Sequence, residues 1–359
     1  MQVFFVNQQP QFMPCIDIHT HIIPENMPRW SQRFGYEGFI HLEHHAPCRA
    51  RMMRGKEFFR EIESNCWDPE QRIRECAAHQ VTMQVLSTIP VMFSYWARPA
   101  DALELSRFLN DHLAEVVQRY PRHFLGLATV PLQDVGLAVK ELERCRRELS
   151  LCGVQIGTNV NQLNLSEPQF HEFFAAAQDL DACIFIHPWD MMGGEHLQKY
   201  WLPWLVGMPA ETARAICSLI FGGVLERFPR LRLAFAHGGG AFPATFGRIA
   251  HGFEERPDLV AVDNERHPAE YLGRFWFDSL THDEAMLHYL IRFAGEDRVC
   301  LGSDYPFPLG ERQPGKLIRE AALTDAVRKK LLWSNAWHWL QGRAPAENRQ
   351  QGATGQLEA

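Results

Sequence analysis

Two histidines near the N-terminus, His19 and His21, end an apolar segment with the sequence IDIHTH at residues 16–21. The alternation of this segment predicts a β-strand, in which the side chains of residues i and i+2 leave the same face. Imidazole is a ligand for zinc, copper, iron and nickel, so two imidazoles on one face supply half of a metal site. The sequence therefore predicts a metal centre if other segments bring further ligands to the same place.

Three more polar side chains follow apolar, strand-like segments in the same way. His187 ends the run 184–187, His237 ends 234–237, and Asp304 follows 300–303. A single histidine or aspartate at a strand end is usually a cap or a hydrogen-bonded polar group. Four such strand ends in one chain favour a shared metal or catalytic site instead.

The elements that must position these residues alternate along the chain between short apolar runs and longer helical patterns. Helical patterns span 100–120, 134–149, 168–180 and 209–228. The predicted strands span residues 15–19, 82–88, 124–130, 153–156, 182–187, 231–237, 275–279 and 299–303. Eight β/α alternations predict an α/β fold of the (β/α)8 TIM-barrel type, whose chemistry lies at the carboxyl ends of the strands.

The barrel is predicted to span residues 15–340 as one domain. The long insertion after the first strand, 21–80, is rich in arginine, histidine and aromatic residues, and we expect it to form a lid over the barrel mouth. Residues 1–14 are expected to be an N-terminal extension. Residues 341–359, rich in glycine, alanine, glutamine and glutamate, are expected to be a disordered tail.

The composition excludes some partners. The formal net charge is -7, from 36 Lys and Arg against 43 Asp and Glu, which gives no basic surface for nucleic acid or anionic lipid. No apolar stretch reaches the length of a membrane span. The 9 cysteines include no CxxC pair, and we expect buried thiols in a reducing compartment. A soluble, cytoplasmic protein is therefore expected.

Five longer segments identify a family. They are NCWDP (65–69), PVMFSYW (90–96), HPWDM (187–191), YWLPWLVGMPAET (200–212) and GSDYPFPLGE (302–311). On these segments the chain resembles the metal-dependent decarboxylase branch of the amidohydrolase superfamily, from about residue 16 to residue 340. The resemblance implies a decarboxylase that removes carbon dioxide from a conjugated amino acid semialdehyde, either in tryptophan breakdown or in nitroaromatic degradation.

The resemblance also implies a metal site. It assigns one zinc ion to His19, His21, His187 and Asp304. A lysine on the fourth strand bridges two metals in dinuclear members of the superfamily, but the segment 153–158 reads GVQIGT and has none. We therefore expect a single metal per chain.

His237 is expected to perform acid/base chemistry, since the resemblance makes it the group that takes and returns a proton. It could instead be a fifth metal ligand or a simple hydrogen-bonded histidine. The run HGGG at 237–240 also occurs as an oxyanion loop in lipases. That interpretation requires a GxSxG nucleophile elbow, which this sequence lacks.

Substrate binding is expected from two arginines and two aromatic residues. Arg60 and Arg248 would pair with substrate carboxylates, and Trp204 and Phe307 would flank a flat conjugated substrate. The resemblance implies that Arg248 reaches the active site of a neighbouring subunit, so that a homodimer is the active unit.

Other functions remain open at this point. A related decarboxylase of an aromatic acid, or a mononuclear zinc hydrolase of a lactone or amide, would use the same ligands. A binding protein without activity is a further alternative. The segment 310–317 only imitates a phosphate-binding loop, because Leu317 stands where Ser or Thr must contact magnesium.

Overall fold

The computed structural model describes residues 13–341. Except for residues 13, 14 and 341, the predicted N-terminal extension (1–14) and tail (341–359) lie outside this range. The strands are, in chain order, β1 (Ile16–His21), β2 (Ile40–Ala46), β3 (Arg49–Arg54), β4 (Glu57–Glu63), β5 (Met83–Ser87), β6 (Phe124–Ala128), β7 (Gly153–Gly157), β8 (Asn159–Val160), β9 (Leu163–Asn164), β10 (Cys183–His187), β11 (Arg232–Phe235), β12 (Trp276–Asp278) and β13 (Val299–Cys300).

Eight of these strands form one parallel sheet in the order β1-β5-β6-β7-β10-β11-β12-β13. The sheet closes on itself, because the Ile18 N–H donates to the Leu301 carbonyl and the Asp304 N–H donates to the His19 carbonyl, both at 2.9 Å. The predicted (β/α)8 barrel is thus confirmed, and each of its strands overlaps a predicted one.

The helices are α1 (Trp30–Phe34), α2 (Pro69–Ala78), α3 (Pro99–Arg119), α4 (Val135–Arg147), α5 (His171–Asp179), α6 (Met208–Phe221), α7 (Val224–Arg227), α8 (Phe242–Glu255), α9 (Pro257–Val260), α10 (Glu284–Ala294), α11 (Lys316–Glu320), α12 (Asp325–Lys329) and α13 (Asn335–Gln341). Side-chain caps begin several of them, as at α2, where the Asp68 carboxylate accepts the N–H groups of Glu70 and Gln71. The predicted helix 209–228 is divided into α6 and α7 at Gly223, which has a φ of 67°.

The lid insertion contains an antiparallel sheet of β2, β3 and β4 that the sequence analysis did not predict. Its inner side chains, among them Ala50, Met52 and Ile62, are buried with Leu105 and Leu109 of α3. The outer face carries His, Arg and Glu side chains, so the strands have a polar composition. The alternation is visible in Arg49-Ala50-Arg51-Met52 of β3, but the adjacent apolar residues Phe58 and Phe59 interrupt it in β4.

Helix α13 covers the end of the barrel opposite the strand carboxyl ends. Trp339 of this helix is fully buried, and its Nε1–H donates to the carbonyl of Arg232 at 3.2 Å. Its ring lies 6.0 Å from Phe185, which in turn lies 4.9 Å from His19. The barrel interior is therefore filled with side chains from α13 up to the first predicted metal ligand.

None of the helices within residues 13–341 combines the length and the apolar character needed to cross a membrane. All 9 cysteines are free thiols. Most are buried as expected, but Cys48 is exposed because it lies in the turn between β2 and β3.

Candidate metal centre and active-site cavity

The carboxyl ends of three barrel strands bring His19, His21, His187 and Asp304 together. One ligand atom from each residue lies within 4.8 Å of the others, and all four residues are buried. Oδ1 of Asp304 lies 3.1 Å from Nε2 of His21 and 3.5 Å from Nε2 of His19. The register of β1 against β5 shifts between Asp17 and Thr20, the interval that contains His19 and precedes His21.

The Nδ1 atom of each cluster histidine faces an oxygen acceptor. These acceptors are the Asp278 carboxylate for His19 (2.7 Å), the Thr88 carbonyl for His21 (2.9 Å) and the Pro188 carbonyl for His187 (3.0 Å). A carbonyl oxygen can only accept, so Nδ1 of His21 and of His187 carries a proton, and in the neutral ring Nε2 then carries the lone pair. Each of the three Nε2 atoms is buried and has no hydrogen-bond partner among the described residues.

This arrangement fits a bound cation. The lone pair of His21 Nε2 and the carboxylate oxygen of Asp304 are both acceptors, yet they lie only 3.1 Å apart. Burial lowers the pKa of His21 and, together with the neighbouring imidazoles, holds the pKa of His187 well below its ordinary value. Neutral imidazoles and a carboxylate around one point form a divalent metal site.

Asp278 is a site residue that the sequence analysis missed. Besides holding His19, its carboxylate accepts the backbone N–H groups of His237 (2.9 Å), Gly238 (2.7 Å) and Leu280 (3.1 Å). Burial would raise the pKa of Asp278, but the hydrogen bonds from His19 and from the backbone N–H of Gly238 outweigh this and lower it. In the sequence, the indication of this role was that Asp278 lies near the carboxyl end of the correctly predicted strand 275–279.

Gln155 of β7 occupies the strand on which a bridging lysine was sought. Its Oε1 accepts the hydroxyl of Ser87 at 2.6 Å, and its Nε2 donates to the Thr88 carbonyl at 3.0 Å. That carbonyl also accepts His21 Nδ1, so Gln155 supports the orientation of a cluster histidine. A neutral amide here agrees with a site for one metal.

His237 lies beside the cluster, with its ring 5.2 Å from His19 and 5.1 Å from His187. Its Nε2 is 3.9 Å from Oδ2 of Asp304, which is an ion-pair distance and too long for a hydrogen bond. Burial would lower the pKa of His237, but the carboxylates of Asp304 and Asp278 outweigh it and raise the pKa.

The glycines after His237 allow close packing, and Gly238 and Gly240 also line the active-site cavity. Residues 238, 239 and 240 have φ values of 60°, 79° and 59°. A Cβ on Gly240 would lie 2.4 Å from the carbonyl oxygen of Pro209, and one on Gly239 would lie 2.4 Å from the ring of Phe277. Glycine at these positions therefore lets the loop after β11 pack against both α6 and β12. His237, the first residue of this loop, has a left-handed conformation (φ 56°).

A cavity of about 310 Å³ opens directly above the cluster. Its polar lining includes His21, His187, His237, Asp304 and Arg60, and its apolar walls include Phe59, Trp189, Trp204, Met208, Leu280, Met286, Tyr289 and Phe307. A pocket with aromatic walls and a few converging polar groups is the usual form of a site for a small, flat ligand.

The structure places Arg60, Trp204 and Phe307 together on one wall of this cavity. The Arg60 guanidinium carbon lies 4.5 Å from the Phe307 ring centre and 5.8 Å from that of Trp204. Arg60 belongs to the lid strand β4, and Trp204 to a single π-helical turn, Pro203–Gly207. The lid thus contributes a half-buried cation to the cavity, as expected from the sequence of the insertion.

Arg248 is not part of this cavity. It is exposed on α8 and does not line the cavity, although Pro243 in the first turn of the same helix does. The predicted role of Arg248 in a neighbouring active site depends on a second copy of the chain.

Comparison with known proteins identifies the family. The amidohydrolase family matches residues 16–340. A protein of Dictyostelium discoideum named 2-amino-3-carboxymuconate-6-semialdehyde decarboxylase is 53% identical over 326 residues, covering 90% of this chain and 91% of that protein. A protein of the same name from Caenorhabditis elegans is 39% identical over 372 residues, covering 89% and 92%.

A solved structure shares the fold. The dihydroxybenzoic acid decarboxylase of Polaromonas sp. JS666, with bound manganese and the inhibitor 2-nitroresorcinol, aligns with a TM-score of 0.75 and 24% identity. The alignment covers 92% of this chain and 98% of that one. With a family match over nearly its whole length and relatives of this identity, the chain belongs to the amidohydrolase family.

Proposed function

We propose that this chain is a zinc-dependent enzyme that decarboxylates 2-amino-3-carboxymuconate-6-semialdehyde to 2-aminomuconate semialdehyde and carbon dioxide. The observation that carries the proposal is the meeting of the His19, His21, His187 and Asp304 cluster, His237 and Arg60 on one cavity. The two relatives of 53% and 39% identity, both named for this reaction, supply the choice of substrate.

The proposed metal is one zinc ion per chain, held by His19, His21, His187 and Asp304. Three imidazole nitrogens and one carboxylate oxygen suit zinc, and a structural zinc site would rely mainly on cysteine. When bound, the ion acts as a Lewis acid and makes a water molecule more acidic. The manganese in the Polaromonas decarboxylase makes manganese the metal to compare with zinc.

The proposed chemistry follows from the charge that decarboxylation creates. Breaking the bond from C3 to its carboxylate leaves an electron pair on an unsaturated carbon, which is unfavourable unless C3 is protonated first. The 2-amino group makes C3 nucleophilic, so protonation of C3 gives an iminium at C2. The bond to the carboxylate then breaks, its electron pair restores the C2–C3 double bond, and carbon dioxide leaves.

His237 is the proposed proton carrier for this step. Its ring faces the cavity, and the carboxylates of Asp304 and Asp278 stabilise its protonated form electrostatically. Arg60 is the proposed partner of a substrate carboxylate, because its half-buried guanidinium lies among aromatic rings where a charge-assisted hydrogen bond is strong. Trp204 and Phe307 are the proposed walls against the flat conjugated chain.

The proposed active unit is a homodimer in which Arg248 reaches the neighbouring active site. Arg248 is exposed, and the rim of the cavity exposes apolar side chains, with Leu205 50% and Met286 41% accessible. Apolar groups at a cavity rim are suited to contact with a second protein surface.

The proposal is tested by the substrate itself. Purified protein is added to enzymatically generated 2-amino-3-carboxymuconate-6-semialdehyde, and ultraviolet absorbance and carbon dioxide are followed together. We expect accelerated loss of absorbance with one carbon dioxide per substrate. Turnover of 2,6-dihydroxybenzoate alone would replace the proposal with an aromatic-acid decarboxylase, and acid release from a lactone or amide without carbon dioxide would replace it with a hydrolase.

A further inference from the structure

Two side chains of α2, Arg72 and Glu75, lie between the metal cluster and the segment 64–66 that follows β4, here called the lid base. Arg72 is fully buried and Glu75 is partly buried. Neither side chain lines the active-site cavity, so neither touches the substrate. Their contacts lead instead to the segments that carry Arg60, His21 and Asp304.

Arg72 joins the lid directly to β1. Its Nη1 donates to the carbonyl of the cluster residue His21 at 2.7 Å and to the carbonyl of Asn65 at 2.8 Å. Its guanidinium carbon lies 4.8 Å from the ring centre of Tyr305, and its Nε donates to Gln84 at 3.2 Å. The buried Arg72 therefore contacts the backbone of His21, the backbone of Asn65 in the lid base, and the ring of Tyr305, the residue after Asp304.

Glu75 completes the connection from the other side. Its carboxylate accepts the hydroxyl of Tyr305, and it accepts the Asn65 amide at 3.1 Å and the Gln71 amide at 2.5 Å. Burial would raise the pKa of Glu75, but these hydrogen bonds and the charge of Arg72 outweigh it and lower the pKa. The carboxylate is therefore ionised, and it is fixed between the lid base and Tyr305.

Asn65 is the point at which this network reaches the lid. It lies two residues after the end of β4, which carries Arg60, and the carbonyl of the next residue, Cys66, accepts the N–H of Ile23 at 2.9 Å. Tyr305 belongs to the cluster side, since its carbonyl accepts the N–H of His21 at 2.9 Å. The contacts of α2 therefore connect the segment that carries Arg60 with the segments that carry His21 and Asp304.

We propose that Arg72 and Glu75 are positioning residues that set the distance between the lid arginine, Arg60, and the metal cluster. The proposal rests on the proposed function of this cavity, in which Arg60 binds a substrate carboxylate while the cluster acts beside it. A charge-assisted hydrogen bond from Arg60 to a substrate carboxylate requires a fixed donor–acceptor geometry, and an ionic network between the lid and the cluster would hold Arg60 where it binds the substrate best.

The test compares Glu75→Gln with a matched control, Glu70→Gln, on the exposed side of the same helix. Glutamine keeps the shape of Glu75 but removes its charge and weakens its hold on Tyr305 and Asn65. We expect Glu75→Gln to raise KM about tenfold with little change in kcat and in metal content, and Glu70→Gln to change none of the three.

A double-mutant cycle with Arg60→Lys separates positioning from general destabilisation. If Glu75 acts through Arg60, adding Glu75→Gln to Arg60→Lys raises KM no further, so the two effects are strongly non-additive. Tyr305→Phe, which removes only the hydroxyl that Glu75 accepts, should give a smaller rise of the same kind. Additive effects on KM, or an unchanged KM in Glu75→Gln, would overturn the proposal.

Hydrogen exchange gives a result that does not depend on turnover. In Glu75→Gln the amides of residues 57–66 should exchange faster than in the wild type, while those of β6 and β7 stay unchanged. Inactivity of the wild type on the substrate would reject the proposed function, and faster exchange confined to 57–66 would still support the coupling. Unchanged exchange in these residues would reject the coupling.

Discussion

The imidazoles of the cluster are held by acceptors of different strength. His21 and His187 donate from Nδ1 to neutral backbone carbonyls, whereas His19 donates to the ionised, fully buried carboxylate of Asp278. A carboxylate partner makes the opposite ring nitrogen more basic and fixes the ring plane. At the residue scale, Asp278 therefore connects metal affinity with the loop that carries His237.

We predict that Asp278→Asn weakens zinc binding about tenfold to a hundredfold, because an amide cannot hold His19 with a negative charge and also accept the N–H groups of residues 237, 238 and 280. Competition with a chromogenic chelator measures the zinc affinity. The exposed Asp258→Asn on α9 controls for the loss of one negative charge. A wild-type zinc affinity in Asp278→Asn would contradict this role.

We predict that His237→Asn keeps its metal but loses about 100-fold or more in kcat, as expected when a group that transfers a proton is removed. Asparagine is chosen because it tolerates the positive φ of position 237, where alanine would be strained. Metal content by atomic absorption and the rate of carbon dioxide release are measured on the same sample. A variant with one metal per chain and a near-normal kcat would exclude His237 as the proton carrier.

At the scale of elements, the barrel depends on close approach between neighbouring strands at the end opposite the cluster. Gly153 begins β7 and pairs with Cys183 of β10. A Cβ on Gly153 would lie 1.9 Å from the Cys183 carbonyl oxygen. Because that atom belongs to the backbone of a central strand, it cannot move aside without breaking the ladder.

We predict that Gly153→Ala lowers the free energy of unfolding by at least about 2 kcal/mol, as overpacking in a rigid core does. The control is Gly252→Ala on α8, where an added Cβ meets no atom within 4 Å and alanine favours the helix. Urea unfolding followed by circular dichroism measures both variants. Equal stability of Gly153→Ala and the wild type would show that the strands can separate at this point.

The elements of the barrel could be predicted because each strand is a short apolar run bounded by turn residues. The lid sheet was missed although its strands pair as neighbouring hairpins, because they are rich in His, Arg and Glu and the adjacent apolar residues Phe58 and Phe59 interrupt the alternation in β4. A different limit applies to the site. His19, His21, His187 and Asp304 end conspicuous runs, but the role of Asp278 depends on the placement of β12 beside β11 and on His19 across the barrel.

At the scale of the whole molecule, the two ends of the barrel have different roles. Helix α13 fills one end with Trp339, and the cluster and its cavity occupy the other. The cavity is bordered by the lid on one side and by the start of α8 on the other. Arg248 lies further along α8, so its proposed contribution to catalysis requires a second chain.

We predict that two inactive variants, Arg248→Ala and His237→Asn, restore activity when mixed. A mixed dimer would contain one site with both His237 and the partner's intact arginine. Random exchange of subunits should therefore give about a quarter of the wild-type rate. Sedimentation confirms that both variants are dimers. No recovery after subunit exchange shown by differently tagged chains would contradict a role for Arg248 in the neighbouring site.

The most direct test of a metal-dependent decarboxylase is zinc titration of the chelator-treated protein, with carbon dioxide release from 2-amino-3-carboxymuconate-6-semialdehyde as the readout. The account predicts negligible release without metal, a linear rise with added zinc, and a plateau at one zinc per chain. In Asp304→Asn the same additions should restore little activity, because a cluster ligand is lost. Full carbon dioxide release from metal-free protein, or a plateau at two zinc ions per chain, would contradict the account.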